Sequence, residues 1–104
     1  MTIARRQAMY AFSYEAPGNE AIYNRVKAML GAEPEGLVLH MVDKTPGGLR
    51  HLGVWQSKGA WENYRDKTVR PVLNKLLAEM GIPEPPLPAE ETLELVDIYS
   101  RQTS

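Results

Sequence analysis

Residues 37–56, LVLHMVDKTPGGLRHLGVWQ, decide the fold of this chain. Two runs of strand length flank Thr45-Pro46-Gly47-Gly48. Proline second and glycine third is the signature of a type II turn, although hairpins favour other two-residue turns and a longer loop is the alternative. With Pro46 and Gly47 at the tip, Thr45 falls opposite Gly48. The pairs that follow are Asp43 with Arg50, Val42 with His51, His40 with Gly53 and Val38 with Trp55. The opposite charges of Asp43 and Arg50 support this register independently.

Directly opposed residues share a face, so the hairpin has two distinct sides. Leu37, Leu39, Met41, Leu52 and Val54 form one, with Asp43–Arg50 at its rim. That side is apolar enough to be expected under helices. Val38, His40, Val42, His51, Gly53 and Trp55 form the other. It is mixed, and Gly53 would leave space in front of His40. An open mixed face is a candidate for a dimer interface, a ligand cavity or both.

Upstream, QAMYAFSYE (7–15) alternates, with Tyr10, Phe12 and Tyr14 on one side and Met9, Ala11 and Ser13 on the other. This predicts a first strand, broken at Ala16-Pro17-Gly18. Asn19 is a fair N-cap for a helix in which Ile22, Val26, Met29 and Leu30 repeat at helical spacing, and Gly31 ends it. Downstream, Ser57 can cap a second helix. Trp61, Tyr64, Arg65, Thr68, Val69, Val72, Leu73, Leu76, Leu77 and Met80 follow in i, i+3, i+4 order. Pro71 lacks an amide hydrogen and must kink or split that helix near Lys67 to Arg70. Gly81 suits its C′ position. Pro83, Pro85, Pro86 and Pro88 make a stiff connector. Thr92 to Tyr99 reads as the last strand. The order β-α-β-β-α-β predicts an α+β fold with one four-stranded antiparallel sheet, its first and third strands central, and two helices on one face.

The chain has 104 residues, enough for one domain, with a core expected over residues 7–100. Twelve basic and 13 acidic residues give a formal net charge of −1, which offers no steering field for nucleic acid or an anionic membrane. Cysteine is absent, so disulfides, zinc–thiolate sites and thiol catalysis are excluded. Met1 to Gln7 shows no signal-peptide pattern and no apolar run has spanning length, so a cytoplasmic protein is expected. Glu84, Glu90, Glu91 and Glu94 match no ligand pattern with histidine and read as solvated surface, with no metal site. No phosphate loop, dinucleotide fingerprint or nucleophile elbow occurs.

Four segments together resemble a known superfamily: Gly36-Leu37-Val38-Leu39-His40, Pro46-Gly47-Gly48, Val54-Trp55-Gln56-Ser57 and Gly59-Ala60-Trp61-Glu62-Asn63-Tyr64. They look like the dimeric α/β-barrel proteins related to antibiotic biosynthesis monooxygenases. That resemblance implies a ferredoxin-like subunit whose sheet packs against that of a second copy. It implies an enzyme that oxygenates electron-rich aromatic compounds without metal, flavin or other cofactor. Such an enzyme binds a phenol, favours its anion and lets that anion reduce oxygen. Trp55 matches a recurrent site tryptophan and Trp61 the aromatic early in the following helix. Haem-degrading relatives use an asparagine on the first strand and a histidine on the second helix. Neither is present here.

The candidate catalytic residue is His40, whose unperturbed pKa of about 6.5 suits proton transfer near neutrality. Its structural alternative is a hydrogen-bonded histidine at a dimer interface. Trp55, Trp61, Tyr64 and His51 are the candidate substrate-binding residues. Trp55 equally suits core or interface packing, Trp61 and Tyr64 lie on a buried helical stripe, and His51 near the turn suits an exposed or structural role. Arg65 falls on the apolar stripe and needs an acidic partner or a ligand. Two functions follow: a cofactor-independent monooxygenase of a small aromatic compound, or a non-catalytic ligand-binding or homodimeric assembly module joined through the sheet face that carries His40 and Trp55.

Overall fold

The computed structural model of the chain describes residues 9–99. Gln7 and Ala8, at the start of the expected first strand, lie outside the described residues, as do Met1 to Arg6 and the tail from Ser100 to Ser104. Strand β1 (Tyr10–Ala16) leads to helix α1 (Glu20–Leu30). The hairpin follows as β2 (Leu37–Thr45) and β3 (Gly48–Trp55). Helix α2 (Lys58–Tyr64) passes through a π-helical turn (Arg65–Val69) into α3 (Arg70–Glu79), and β4 (Glu91–Leu93) closes the chain's sheet. The four strands are antiparallel in the order β2-β3-β1-β4, with the first and third central as expected. The helical part after β3 is two α-segments where one was expected, so the element order is βαββααβ.

Local signals set the helix limits. Asn19 accepts the amide hydrogen of Ile22 at 2.9 Å, and Ser57 accepts that of Ala60 at 3.1 Å. Pro71 stands in the first turn of α3, and just before it the amide of Arg70 reaches back five residues to Arg65. The expected split is therefore present and is absorbed as a π turn. At the far end Gly81, with φ 74°, donates to Ala78 at 3.1 Å while Ile82 donates to Leu77 at 2.8 Å. This is a Schellman close, followed at once by Pro83.

The hairpin pairs as expected from Thr45–Gly48 through His40–Gly53. Two details differ. Gly47 does not take the positive φ of a type II turn; the positive φ falls on the next residue, Gly48, at 152°. A β-bulge between Leu37 and Leu39 also places Leu37, not Val38, opposite Trp55. The bulge turns Leu37 toward the cluster of Phe12, Trp55 and Trp61, against which it packs.

The covered face of the sheet is the reverse of the sequence expectation. Pairing of β1 with β3 sets Tyr10 opposite Trp55, Phe12 opposite Gly53 and Tyr14 opposite His51. The aromatic side of β1 thus coincides with the histidine side of the hairpin. Trp61 of α2 stacks on Phe12 at 4.6 Å, and Tyr23 of α1 approaches both histidines, so the helices lie on this side. Burying three strand aromatics outweighs burying a leucine–methionine stripe. The His40 and Trp55 face is therefore not free for a second copy. The opposite side is centred on buried Ala11 and Val54 and leaves Leu39 37% and Met41 55% exposed.

Strand β4 is shorter than the expected Thr92–Tyr99. It pairs only where Leu93, Thr92 and Glu91 meet Ala11, Phe12 and Ser13. Val96 and Tyr99 beyond it are 85% and 93% exposed. No helix among the described residues is long and apolar enough to cross a membrane.

Candidate functional site

The helix-covered side of the sheet carries a continuous aromatic row. At one end Trp55 meets Trp61 and Tyr64, with ring centroids 5.5 and 5.4 Å apart. Trp55 and Trp61 are core residues, 3% and 6% exposed, while Tyr64 is half-buried. Phe12 fills the middle. Its ring lies 2.7 Å from where a Cβ on Gly53 would stand, so the space that Gly53 leaves is taken by Phe12 and not held open before His40. Phe12 then stacks on Tyr14 at 6.0 Å, and Tyr14 on His51 at 4.7 Å with the planes 12° apart.

His40 and His51 come together at the other end. They sit on adjacent strands, diagonal to each other, and Nε2 of His40 lies 3.4 Å from Nδ1 of His51. Tyr23 of α1 meets His51 edge-on at 5.8 Å and His40 at 6.4 Å. His40 is the more exposed of the pair and His51 is half-buried. Burial, then the charge of His40, pushes the His51 pKa down to about 4. Burial, then Lys27 on α1, lowers that of His40. Both imidazoles are therefore neutral at pH 7, with lone pairs free to accept a proton. The Tyr14 hydroxyl is pushed up to about 12 by burial, with Glu90 and Tyr23 adding to the effect. It stays a proton donor at neutral pH. A cavity of about 210 Å³ opens between α1 and the hairpin, lined by Tyr23, Asn24, Val42, Asp43, Lys44, Leu49 and Glu20; Tyr23 and Val42 adjoin His51, but neither histidine lines it. A larger open groove of about 530 Å³ lies farther along, between the start of α1 and the hairpin turn. Neither is lined by any of the sequence-derived site residues His40, His51, Trp55, Trp61 and Tyr64.

The sequence-derived site residues thus form two groups, His40 with His51 and Trp55 with Trp61 and Tyr64, joined through Phe12 and Tyr14. A residue outside both groups is Glu90, expected at the solvated surface. It is largely buried: its side chain is 17% exposed and accepts from the Tyr10 hydroxyl (3.2 Å), the Trp61 indole (3.0 Å) and the Arg65 guanidinium (3.1 Å). The physical reason is the pairing of β4 with β1, which swings the end of the connector onto the aromatic row. Arg65 also holds Asp66, so the acidic partners required by its place on the apolar stripe are present. Glu84 in the same connector pairs with Arg70 at 2.7 Å. Among the described residues no group of three or more histidine, aspartate or glutamate side chains is placed to hold a metal.

No protein-family model, curated protein or solved structure matches this chain.

Proposed function

We propose that this chain is a cofactor-free monooxygenase of a small, electron-rich phenol, with the His40–His51 pair accepting the phenolic proton. The observation that carries the reading is the contact of two neutral imidazoles at one end of an aromatic row, with their neighbours Tyr23 and Val42 lining a cavity. Loss of its proton makes a phenol a better electron donor, and the anion can then reduce oxygen. In balance, a phenol and O₂ give a quinone and water. His40 and His51 take up the proton at the start, Tyr23 lines the cavity beside the bound ring, and Trp55, Trp61 and Tyr64 form the rigid wall behind Phe12. A cavity of about 210 Å³ is below the roughly 300 Å³ at which ligand pockets usually begin, which restricts the substrate to a single-ring compound.

The same reading takes the subunit as ferredoxin-like, cytoplasmic and homodimeric, as in the dimeric α/β-barrel proteins it resembles. The dimer would use the side with Leu39 and Met41, since the helices occupy the other. Asp43 and Arg50 on that side offer both signs of charge to a second copy, and the net charge of −1 opposes association little. These exposed side chains also favour a second reading, a homodimeric assembly module without catalysis, in which the filled interior around Phe12 is only core.

Oxygen uptake decides between the two. With hydroquinones and simple phenols, in the presence of a chelator, the wild-type chain consumes oxygen above the protein-free rate and His40→Gln does not. A dimer by light scattering with no uptake on any phenol supports assembly alone.

A further inference from the structure

The nitrogens of His40 and His51 lie 3.4 Å apart while their ring centroids lie 5.5 Å apart, with the planes 20° from parallel. The nitrogens therefore sit between the rings. The imidazoles meet edge to edge, as a hydrogen-bonded pair does, and not face over face. One nitrogen must carry the hydrogen and the other the lone pair.

Each ring keeps a second nitrogen outside this contact: Nδ1 on His40, the more exposed ring, and Nε2 on His51, the ring stacked against Tyr14. A chain of donor and acceptor sites runs from the exposed edge of the sheet at β2 to the aromatic row.

We propose that His40 and His51 form one proton-holding unit, in which a single proton is shared across Nε2 and Nδ1 and passed between the exposed edge of the sheet at β2 and the aromatic row. The pair as a whole is the base, and His51, not His40, presents its nitrogen to the ligand. The transfer balances as follows. His51 Nε2 takes a proton from the ligand hydroxyl, the Nδ1 hydrogen of His51 moves to His40 Nε2, and His40 Nδ1 releases its hydrogen to water. Both rings end neutral with the opposite tautomer, and return of a proton along the same path restores them.

The surroundings oppose a second proton more strongly than a first. Tyr23 and Lys27 face the pair from α1, Tyr14 faces it from β1 and stands itself beside Glu90, and Val42 is the strand neighbour of His51. Among the described residues no carboxylate hydrogen-bonds to either ring. A first proton gains a charge-assisted hydrogen bond, whereas a second sets two cations in contact with Lys27 nearby.

This inference rests on the same site as the proposed function but is read on the free protein, without substrate or oxygen. Ring-nitrogen NMR on the ¹⁵N-histidine-labelled chain is followed through an acid titration. Each imidazole is expected to move in two steps, at midpoints common to both rings, and a scalar coupling is expected between His40 Nε2 and His51 Nδ1. In His40→Gln, His51 titrates in one step, displaced upward from its second step in the wild type. Independent single steps in the wild type, with no coupling across the contact, overturn the proposal even if oxygen uptake is observed. Shared steps without any oxygen uptake leave the unit intact and remove only the phenol reading.

Discussion

Gly53→Ala tests the packing that defines the covered face. Gly53 is buried in the middle of β3, and a methyl there would stand 2.7 Å from Cζ and 3.0 Å from Cε2 of Phe12. Phe12 is 2% exposed and stacked on Trp61 at 4.6 Å, so its ring cannot swing away without disturbing a second buried ring. Overpacking of this kind costs about 1–3 kcal/mol. At about 2 kcal/mol, a domain of this size loses roughly 8–16 °C in Tm. Thermal and urea unfolding of Gly53→Ala, Phe12→Ala and the double variant measure it. Phe12→Ala alone should cost about 3–5 kcal/mol through the cavity it leaves. In that background the Gly53 methyl fills part of the cavity, so its cost vanishes or reverses. An equal cost for Gly53→Ala with and without Phe12 would refute the contact, and with it the assignment of this side of the sheet to the helices.

Two further outcomes follow from the same row of residues. Glu90→Ala strips the acceptor from the Trp61 indole and the Tyr10 hydroxyl and one of two acidic partners from Arg65. It should destabilise by roughly 1–3 kcal/mol, read by urea unfolding with a change in tryptophan emission, whereas Glu94→Ala, at an exposed position, should change neither. The histidines set the acid limit. Their pKa values are lowered on folding, to about 4 for His51, so the unfolded chain binds more protons in this window. Stability is then full above about 6.5 and falls as pH drops from there toward 4. In His40→Gln/His51→Gln this slope should flatten, and an unchanged slope would assign the acid transition to other groups.

Much of the backbone was legible because its causes are local. Asn19 and Ser57 start helices because a side-chain oxygen satisfies an orphan amide. Pro71 cannot donate to the preceding turn, and Gly81 takes the positive φ that a helix close requires. The hairpin register was legible because Pro46 and Gly47 mark its tip and the opposite charges of Asp43 and Arg50 support the pairing, and Arg50 does grip Asp43, with Nε to Oδ1 at 3.0 Å. The choice of covered face was not legible from the hairpin alone, as both of its sides could be buried. It depends on a long-range pairing, β1 on β3, which puts Tyr10, Phe12 and Tyr14 beside Trp55, Gly53 and His51. The alternation of aromatics in β1 was the available signal, and pairing it with β3 would have turned the hairpin over. The bulge at Val38 has no side-chain signature. Glu90 was hidden for a different reason: a carboxylate in a proline-rich connector reads as surface until β4 is paired with β1.

The contact of His40 with His51 follows from the same register and joins two residues that the sequence marked separately. His40–Gly53 and Val42–His51 are successive pairs on the same side of neighbouring strands, so the two imidazoles had to be diagonal neighbours. What the sequence could not supply was Tyr23, which α1 brings over both rings. It also could not show that Phe12 separates the histidines from Trp55.

The most direct test of the account is whether the histidine pair takes a proton from a bound phenol. Ultraviolet difference spectra of a nitrophenol that is partly ionised near neutrality, recorded at fixed pH with increasing protein, report this without any need for turnover. The phenolate band should grow with the wild-type chain and saturate, and His40→Gln/His51→Gln, folded by circular dichroism, should leave the spectrum of the free phenol unchanged. A band that does not grow with the wild-type chain, or that grows equally with the double variant, would contradict the central claim.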